Sequence, residues 1–301
     1  MKLSFKEKCG LARKNADCYL FVLPYMLIFF VFTVLPVLLS MLISFTDFNM
    51  IKFPNFVGAD NYVRMLFKDD LFMTALKNTL IFALVTGPIS YLMCFGFAWL
   101  INENSPKMRA VLTLLFYAPT LSGNMALIWD LIFMGDRYGV LNSLLLKVGL
   151  ISEPILWLKD TSTMVPVLIV IILWQSLGTS FLTFIAGFQC VDKTQYEAAA
   201  VDGVKNRWQE LWYITLPNMK PQLMFGAVLS ISSAFGVGDI ITTLVGYPST
   251  DYAAHTIVHH LQDYGNLRYE MGYASAIATV LFLLMIFTNK LVQKILSKVG
   301  S

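Results

Sequence analysis

The sequence predicts an all-α membrane protein with six transmembrane helices, and this prediction rests on its composition and on the spacing of its charges. Apolar residues make up 57% of its 301 residues and charged residues 14%, against about 45–50% and about 25% in soluble domains. A spanning helix satisfies its own backbone hydrogen bonds and needs ~20 mostly apolar residues. The segments of 18 or more residues without any charge are 18–46, 78–102, 110–129, 161–191, 221–238 and 271–289.

The basic residues between these segments predict the orientation of the helices. Of the 22 Lys and Arg residues, 14 lie in the N-terminus, the second and fourth connections and the C-terminus. Basic residues accumulate on the cytoplasmic side of membrane proteins, so both termini are expected in the cytoplasm. The first charge-free segment is longer than a signal-peptide core and no small-residue cleavage site follows it, so residues 1–17 are expected to stay attached.

Composition also excludes several classes of function. The net charge is +3, which is too small to predict nucleic acid as a partner. None of the four cysteines falls in an outer loop and no CxxC pair occurs, so neither a disulfide nor a structural zinc site is expected. The outer loops, 46–72, 133–163 and 246–270, are long enough to fold into small caps with short helices.

The long fourth connection is predicted to contain two short helices. Thr194 and Glu197 form a capping-box pair that satisfies free N–H groups at a helix start. A helix over 195–202 follows, and Gly203 can take the left-handed position that ends it. Three consecutive alanines leave this helix little bulk, which suits docking against a protein. An ordinary surface loop rich in a good helix former is the alternative.

The second of these helices has a weaker start signal. Asn206 with Gln209 offers the cap, and Pro217 is expected to close the helix because proline cannot donate a backbone hydrogen bond.

A longer pattern covers the same connection. The stretch 197–221 begins with Glu-Ala-Ala, has Asp-Gly from the fifth residue after that Glu, and ends with Ile-x-Leu-Pro-x-x-x-Pro. It resembles the EAA loop of the permease subunits of binding-protein-dependent ABC importers, which also lies on the cytoplasmic side between the fourth and fifth helices. The segment 271–276 resembles the carbohydrate-uptake branch, similar to the larger permease of maltose-type importers.

The resemblance implies a type I ABC importer permease fold in a bacterial cell membrane. Segment 1–18 would be cytoplasmic and 19–45 would be an extra leading transmembrane helix. The transmembrane domain would cover 71–288 as a five-helix core, with its coupling loop at 193–221, and 289–301 would be a cytoplasmic tail.

The resemblance also implies how the loop works. In this family the loop sits in a cleft of an ATPase subunit and transmits its motion to the membrane helices. The docking surface would consist of Glu197, Ala198, Ala199, Asp202 and Gly203. The angle to the fifth helix would be fixed by Leu216, Pro217 and Pro221.

The partners and cofactors follow from the same resemblance. The sequence has no G-x-x-x-x-G-K-[S/T] loop, so this chain is expected to bind no cofactor, with ATP and Mg on the partner ATPases. The implied partners are a second homologous permease in a heterodimer, two ATPase subunits, an extracellular or periplasmic sugar-binding protein, and membrane lipid.

Polar residues inside the predicted spans are candidates for the substrate path, since they are costly in lipid and suit sugar hydroxyls. The candidates are Phe116, Tyr117 and Thr120 on the third helix, Gln175, Ser176 and Thr179 on the fourth, and Ser232, Ser233 and Gly236 on the fifth. Small polar residues also pack helices together in membranes, which is the alternative for each hydroxyl. The resemblance places Gln175, Ser176, Thr179, Ser232 and Ser233 at substrate-contacting positions, and relates Phe116 and Thr120 to them through a shared proline.

Two further groups allow two interpretations each. Asp239, near the outer third of its helix, could bind a cation or sugar hydroxyl, but a structural role at a broken helix is favoured. His255 and His259, with Asp251 and Asp263 nearby, have a spacing that can hold a metal. A solvated face that meets the binding protein is favoured over a metal site.

The sequence therefore leads to the hypothesis of a non-enzymatic permease subunit for mono- or oligosaccharide import. A permease for another small polar solute, such as a glycerol-phosphate compound, is the alternative within the family. A self-sufficient secondary carrier is the alternative from another class, although few ionisable residues lie within the spans. A membrane enzyme is a third option, without a supporting catalytic motif.

Overall fold

The computed structural model describes residues 16–121 and 125–298, and within those ranges the chain is almost entirely helical. A single isolated bridge joins Thr46 and Phe56, and the described residues form no β-strand. The predicted all-α class is confirmed. Most of the predicted N-terminal segment 1–18, and residues 299–301 of the predicted tail, lie outside the described residues.

The helices are numbered here in chain order. The first eight are α1 (Ala16–Phe29), α2 (Leu35–Ile43), α3 (Asp60–Phe67), α4 (Asp70–Asn102), α5 (Pro106–Leu121), α6 (Met125–Ile132), α7 (Val140–Val148) and α8 (Thr161–Gln175). The others are α9 (Thr179–Cys190), α10 (Lys193–Val201), α11 (Arg207–Glu210), α12 (Leu216–Asn218), α13 (Lys220–Phe235), α14 (Asp239–Val245), α15 (Ile257–Gln262) and α16 (Met271–Leu296).

Five stretches are long and apolar enough to cross a membrane. They are Leu20–Ile43, Asp70–Asn102, Thr161–Cys190, Lys220–Val245 and Met271–Leu296, and each overlaps a predicted span. The remaining predicted span, 110–129, corresponds to α5 and α6, which lie on either side of residues 122–124 outside the described part. The described residues therefore confirm five of the six predicted spans, and the remaining one runs through residues outside the described part.

Carboxylates mark the outer ends of two spans. The side chain of Asp69 accepts a hydrogen bond from the Phe72 N–H at 3.0 Å, which caps α4. Asp160 caps α8 in the same way through the Ser162 N–H at 2.9 Å. An N-cap carboxylate satisfies a free N–H and complements the positive end of the helix. Asp160 therefore both delimits the apolar segment 161–191 and fixes where its helix begins, whereas Asp69 starts α4 several residues before the apolar segment 78–102.

The core of the bundle is formed by α4, α9 and α13, which pack against one another, while α16 packs on α13 and α2. Phe184 of α9 is fully buried and meets the ring of Tyr91 edge-on, with centroids 5.3 Å apart. Opposite this ring stands Gly226, where a Cβ atom would lie 2.6 Å from Phe184. A glycine is therefore needed where α13 approaches α9 this closely.

Two of the spans are broken. The fourth stops at Gln175 and resumes at Thr179, and the fifth stops at Phe235 and resumes at Asp239. Gly178 and Gly238, which precede the resumed helices, have non-helical backbone angles. Irregular backbone at membrane depth is tolerated where it is buried in protein or lines a cavity. Both breaks do line one cavity, described below.

The outer loops carry the short helices that the sequence predicts for them. These are α3, α7 and α15. In the cap around α7, Asn142 is fully buried and its amide donates to the carbonyl oxygens of Met134, Asp136 and Ile155 at 3.0–3.1 Å. One buried amide thus satisfies three loop carbonyls and holds this cap together.

Candidate functional site

The breaks in the fourth and fifth spans border a central cavity of about 370 Å³. Its polar lining comes from α4, α5 and both broken spans: Thr86, Ser90, Thr120, Gln175, Ser176, Thr179, Ser180, Ser230, Ser233 and Asp239. Gly178, Gly236 and Gly238 contribute backbone at the breaks. Six of the nine predicted path residues lie in this lining: Thr120, Gln175, Ser176, Thr179, Ser233 and Gly236.

Several hydroxyl groups in the lining donate to carbonyl oxygens and keep their own acceptor capacity. Thr86 donates to the Phe82 oxygen at 2.7 Å and Ser176 to the Leu173 oxygen at 2.6 Å. Thr120 donates to the Leu177 oxygen at 3.3 Å, which joins α5 to the break in the fourth span. A hydroxyl oxygen in this arrangement still offers lone pairs to a donor in the cavity.

The charge of the lining is as informative as its polarity. Within the described part of the chain, Asp239 is the one ionisable residue among the lining residues, which include no Lys or Arg. The side chains of Gln175 and Ser233 make no hydrogen bond to other described residues, so both are free to bind a solute. The cavity can therefore hydrogen-bond a neutral polyhydroxyl compound but has no cation to neutralise an acidic one.

Four hydroxyl-bearing lining residues were not among the predicted path residues. They are Thr86 and Ser90 on α4, together with Ser180 and Ser230, whose hydroxyl oxygens lie 3.4 Å apart across α9 and α13. Thr86 and Ser90 are four residues apart on one helix face, around Pro88. That spacing on one helix face is a sequence signal for a polar stripe on the second span.

The other three predicted path residues lie elsewhere. Phe116 packs against the buried core, with its ring centroid 6.2 Å from that of Phe181. Tyr117 lines a separate groove of about 410 Å³ together with Arg109. Ser232 is half-buried on α13 and is not among the residues of the central cavity.

Asp239 is the first residue of the helix that resumes after the break, as expected for a structural role at a broken helix. The cap position itself is Gly238, and the Asp239 side chain makes no capping hydrogen bond. Its carboxylate lies in the first turn of α14 and is exposed. The break is therefore present, but Asp239 does not close it through a side-chain bond and remains available at the edge of the cavity.

The first helix of the segment 193–221 begins two residues earlier than the sequence predicts. Helix α10 runs over Lys193–Val201 and its cap is Asp192, whose carboxylate accepts from the Thr194 N–H at 3.0 Å. The prediction that Thr194 and Glu197 form the cap was wrong. An ionised carboxylate two residues upstream is the stronger acceptor at a helix start, and it takes the position.

The end of α10 confirms the predicted role of Gly203. This residue has a φ of +96°. The Val204 N–H donates to the Ala199 oxygen at 3.0 Å and the Gly203 N–H donates to the Ala200 oxygen at 3.3 Å. These two bonds form the Schellman motif that satisfies the last carbonyls of a helix.

The second helix of the loop starts as predicted and ends differently. Asn206 caps α11 by accepting from the Gln209 N–H at 2.9 Å. The prediction that Pro217 closes the helix was wrong, because a π turn over Leu211–Thr215 leads into α12, which includes Pro217. The wider turn changes the hydrogen-bond pattern ahead of the proline, so its missing N–H does not end the helix at that point.

Side chains hold the two parts of the coupling loop together. The hydroxyls of Tyr196 and Thr215 are 2.9 Å apart, and the Asn218 amide donates to Gln195 Oε1 at 2.6 Å. Ala199 is half-buried and packs against the core formed by the ends of α4 and α9, so it lies on the side of α10 that faces the bundle.

The remaining predicted loop residues divide by exposure. Leu216 and Pro217 are half-buried, and Leu216 packs on the same core. The exposed ones are Glu197, Ala198, Asp202, Gly203 and Pro221.

The three histidines of the last outer loop are buried, which contradicts the prediction of a solvated face. His255, His259 and His260 are exposed by 3%, 2% and 1%. His260 Nε2 lies 3.0 Å from a carboxylate oxygen of Asp69, which also accepts from the Tyr273 hydroxyl at 2.7 Å. The described residues contain no group of His, Cys, Asp or Glu arranged to hold a metal.

These histidines and Thr256 together form a histidine cluster, which also bonds to the fifth span at its break and on α14. The Thr256 hydroxyl donates to the Val237 oxygen at 3.1 Å, and His259 Nε2 lies 3.0 Å from the Thr242 hydroxyl. Burial lowers the pKa of His255 to about 4 and also lowers the pKa values of His259 and His260. The cluster is therefore neutral at pH 7 and connects the outer surface to the backbone that lines the central cavity.

Membrane-spanning helices around a polar cavity, with an exposed helical loop at one end, define a membrane transport subunit. The chain belongs to the family of binding-protein-dependent transport system inner membrane components, whose model matches residues 20–299. It is accordingly a permease subunit of an ABC importer and a transport protein, not an enzyme.

Individual relatives agree with this assignment. The chain is 32% identical over 288 residues to the probable ABC transporter permease protein YesP of Bacillus subtilis (strain 168), covering 94% of this chain and 91% of that protein. It is 30% identical over 284 residues to the arabinooligosaccharides transport system permease protein AraP of the same organism, covering 94% and 89%.

A solved structure supports the fold. The chain matches a subunit of a bacterial alginate ABC transporter in complex with an alginate pentasaccharide-bound periplasmic protein, with a TM-score of 0.73 and 24% identity. The match covers 97% of this chain and 99% of that one. The predicted ABC importer permease fold is confirmed.

Proposed function

We propose that the chain is the membrane subunit of an ATP-driven importer of neutral sugars, either mono- or oligosaccharides. The observation that carries this proposal is the central cavity, because hydroxyl and amide groups converge there without any Lys or Arg. Such groups both donate and accept hydrogen bonds, as sugar hydroxyls do. Transport of arabinooligosaccharides by the relative AraP is consistent with this substrate class.

The charge of the cavity separates sugars from the alternative substrates. A glycerol-phosphate compound carries a phosphate, which proteins bind most often through Arg, Lys or clustered N–H donors. The described lining offers one carboxylate, Asp239, which would repel a phosphate or uronate group. The same argument sets the proposal apart from an acidic polysaccharide such as the alginate of the structural relative.

The coupling loop supplies the proposed connection to ATP hydrolysis. The exposed residues Glu197, Ala198, Asp202 and Gly203 would enter a cleft of a partner ATPase subunit, which holds ATP and Mg. Leu216 packs on the cytoplasmic core that also contains the ends of α4 and α9. A displacement of the loop would therefore move the helices that carry the cavity as a packed unit.

The proposed assembly contains a second homologous permease, two ATPase subunits and a sugar-binding protein outside the cell. The leading helix Leu20–Ile43 has no buried residues in its apolar stretch and contacts α16. A surface of this kind needs lipid or another subunit to cover it. We place both termini in the cytoplasm of a bacterial cell, with 19–45 as the leading helix, 71–288 as the transmembrane domain and 289–301 as the tail.

A self-sufficient secondary carrier is the rival mechanism. Such carriers couple transport to ions through ionisable residues at membrane depth. Within the described spans, Asp239 is the one ionisable residue at the cavity. Sugar uptake that persists after the ATPase subunits are removed would support the carrier and contradict the importer.

Two adjacent serines allow a matched test of the cavity. Ser233 lines it and Ser232 does not. The complete transporter would be reconstituted in vesicles, and sugar uptake and ATPase activity would be measured with sugar-loaded binding protein. Gln175→Ala and Ser233→Ala are each expected to lower sugar uptake about tenfold, equivalent to about one or two lost hydrogen bonds. Ser232→Ala is expected to keep uptake near the unmodified rate, and equal losses in all three variants would contradict the proposal.

A further inference from the structure

A second polar cavity lies immediately outside the central one. It is an outer groove of about 460 Å³ lined by α14 and the segment 262–267, together with Tyr247. The residues on the α14 side are Asp239, Thr242 and Thr243, and the facing residues include Gln262, Asp263 and Asn266. None of the predicted path residues falls in this groove.

Helical spacing places polar side chains along both sides of the groove. Asp239, Thr242 and Thr243 are three and four residues apart, so they share one face of α14. Gln262 and Asn266 are four apart on the opposite side. Because α14 belongs to the span Lys220–Val245, its polar face is costly in contact with lipid and favours a cavity.

The two cavities share one lining residue. Asp239 lines both the central cavity and the outer groove, and it stands directly after the break 236–238. Volumes of 370 and 460 Å³ each fall within the ~300–1,000 Å³ range of a pocket for one small ligand. A chain of linked sugar units could therefore occupy both cavities at once, with a linkage beside Asp239.

Some side chains of the groove are engaged within the protein, such as the Thr242 hydroxyl with His259, and others keep polar groups for a ligand. The Asp239 carboxylate has no hydrogen bond or ion pair among the described residues, while Asp263 is paired with Arg268 at 2.6 Å. The Thr243 hydroxyl donates to the Asp239 carbonyl oxygen at 2.7 Å and keeps its acceptor capacity. The rings of Tyr247 and His259 stack at 5.9 Å, which fixes an aromatic surface beside these polar groups.

We infer that the outer groove is a second sugar subsite, continuous with the central cavity, and that the transported substrate is a neutral oligosaccharide that spans both. This inference rests on the proposed function and narrows it. An unpaired carboxylate and amides accept from and donate to sugar hydroxyls, whereas Asp239 at the junction disfavours an acidic chain. Single sugar units need the central cavity alone.

Blocking the groove is expected to lower the uptake of long sugars more than the uptake of single sugar units. The test uses the complete transporter in vesicles, with saturated binding protein and a ladder of neutral sugars of one to five units of the type it imports. Thr243→Trp fills the groove, and Asn266→Ala removes one amide from it. Each is expected to lower the ratio of long-sugar to single-unit uptake, by about tenfold or more for Thr243→Trp and by several-fold for Asn266→Ala. Thr161→Trp, at an exposed threonine at the outer end of α8, is the matched control and is expected to leave the ratio unchanged.

The outcomes separate the inference from the proposed function. An unchanged ratio in both groove variants overturns the subsite. Equal losses at all lengths, together with a loss of ATPase stimulation by the binding protein, would also overturn it and indicate a protein-docking surface. If the unmodified transporter moves no sugar of any length, the proposed function itself fails and the subsite falls with it.

Discussion

Gly226 sets how closely α13 can approach α9. A Cβ atom there would lie 2.6 Å from the ring of Phe184, which is fully buried and flanked by the rings of Tyr91 and Phe95 at 5.3 and 5.6 Å. The ring therefore has little room to move. Overpacking of this kind costs ~1–3 kcal/mol.

Gly226→Ala is accordingly expected to lower the thermal unfolding midpoint of the purified chain, measured in detergent. Gly96 on α4 provides the matched control, since nothing lies within 4 Å of a Cβ added there. Gly96→Ala should leave the midpoint unchanged or raise it slightly, because alanine favours a helix over glycine by ~1 kcal/mol. Similar midpoints for the two variants would contradict the close approach.

The buried histidines predict a pH dependence of stability. Burial lowers the pKa of His255 to about 4, and neighbouring His260 and His259 lower it further, while Asp263 and Asp69 oppose the shift. Between pH 6.5 and about 4 the unfolded chain binds a proton at this residue and the folded chain does not. The contribution of His255 to the free energy of unfolding is therefore present in full at pH 7 and is lost as the pH falls through this window.

The measurement is the unfolding midpoint at pH 7.5 and pH 5. We expect the midpoint to be lower at pH 5, and His255→Gln to reduce the difference because glutamine carries no titrating proton. A midpoint that is equally pH-dependent in the variant would show that His255 does not contribute.

At the scale of elements, α10 allows a specific test of how the chain is coupled to the ATPase subunits. Glu197 is exposed on α10, and Gly203 ends this helix with a φ of +96° that proline cannot adopt. Glu197→Lys reverses the charge of the proposed docking surface, and Gly203→Pro removes the helix end. Both are expected to abolish co-purification of the ATPase subunits and ATP-driven uptake, while membrane insertion stays normal.

Glu153→Lys makes the same charge change at an exposed position in an outer loop and serves as the control. It is expected to retain the ATPase subunits in full. Normal ATPase co-purification with both α10 variants would contradict the docking role of this loop.

The elements also show which features of the fold can be predicted from the sequence. Charge-free segments predicted the spans because lipid imposes one strong requirement on every spanning helix. The breaks at 176–178 and 236–238 contain no charged residue, so the search for charge-free segments could not locate them. Asp239 gave a partial signal, since a carboxylate inside a span requires an exceptional environment.

Other features depend on contacts between distant parts of the chain. His260 is buried in contact with Asp69, which lies 191 residues earlier in the sequence. The polar composition of the outer loop alone therefore predicted a solvated face. The coupling motif, by contrast, is local, and its cap at Asn206 and its helix end at Gly203 were predicted correctly. Thr194 failed as a cap because Asp192 is the stronger competitor nearby.

At the scale of the whole molecule, the two ends of the bundle are joined through packed helices. The segment 193–221 packs on the core formed with the ends of α4 and α9, and the histidine cluster bonds to the break in the fifth span. The central cavity lies between these two attachments. A movement at either end would therefore reach the cavity through contacts that are already formed.

The most direct test of this account measures uptake of a neutral oligosaccharide into vesicles that contain the complete transporter and its binding protein. The account predicts accumulation that requires ATP and the ATPase subunits, together with little uptake of the corresponding uronic-acid chain of the same length. Accumulation that continues without the ATPase subunits, or uptake confined to the acidic chain, would contradict it.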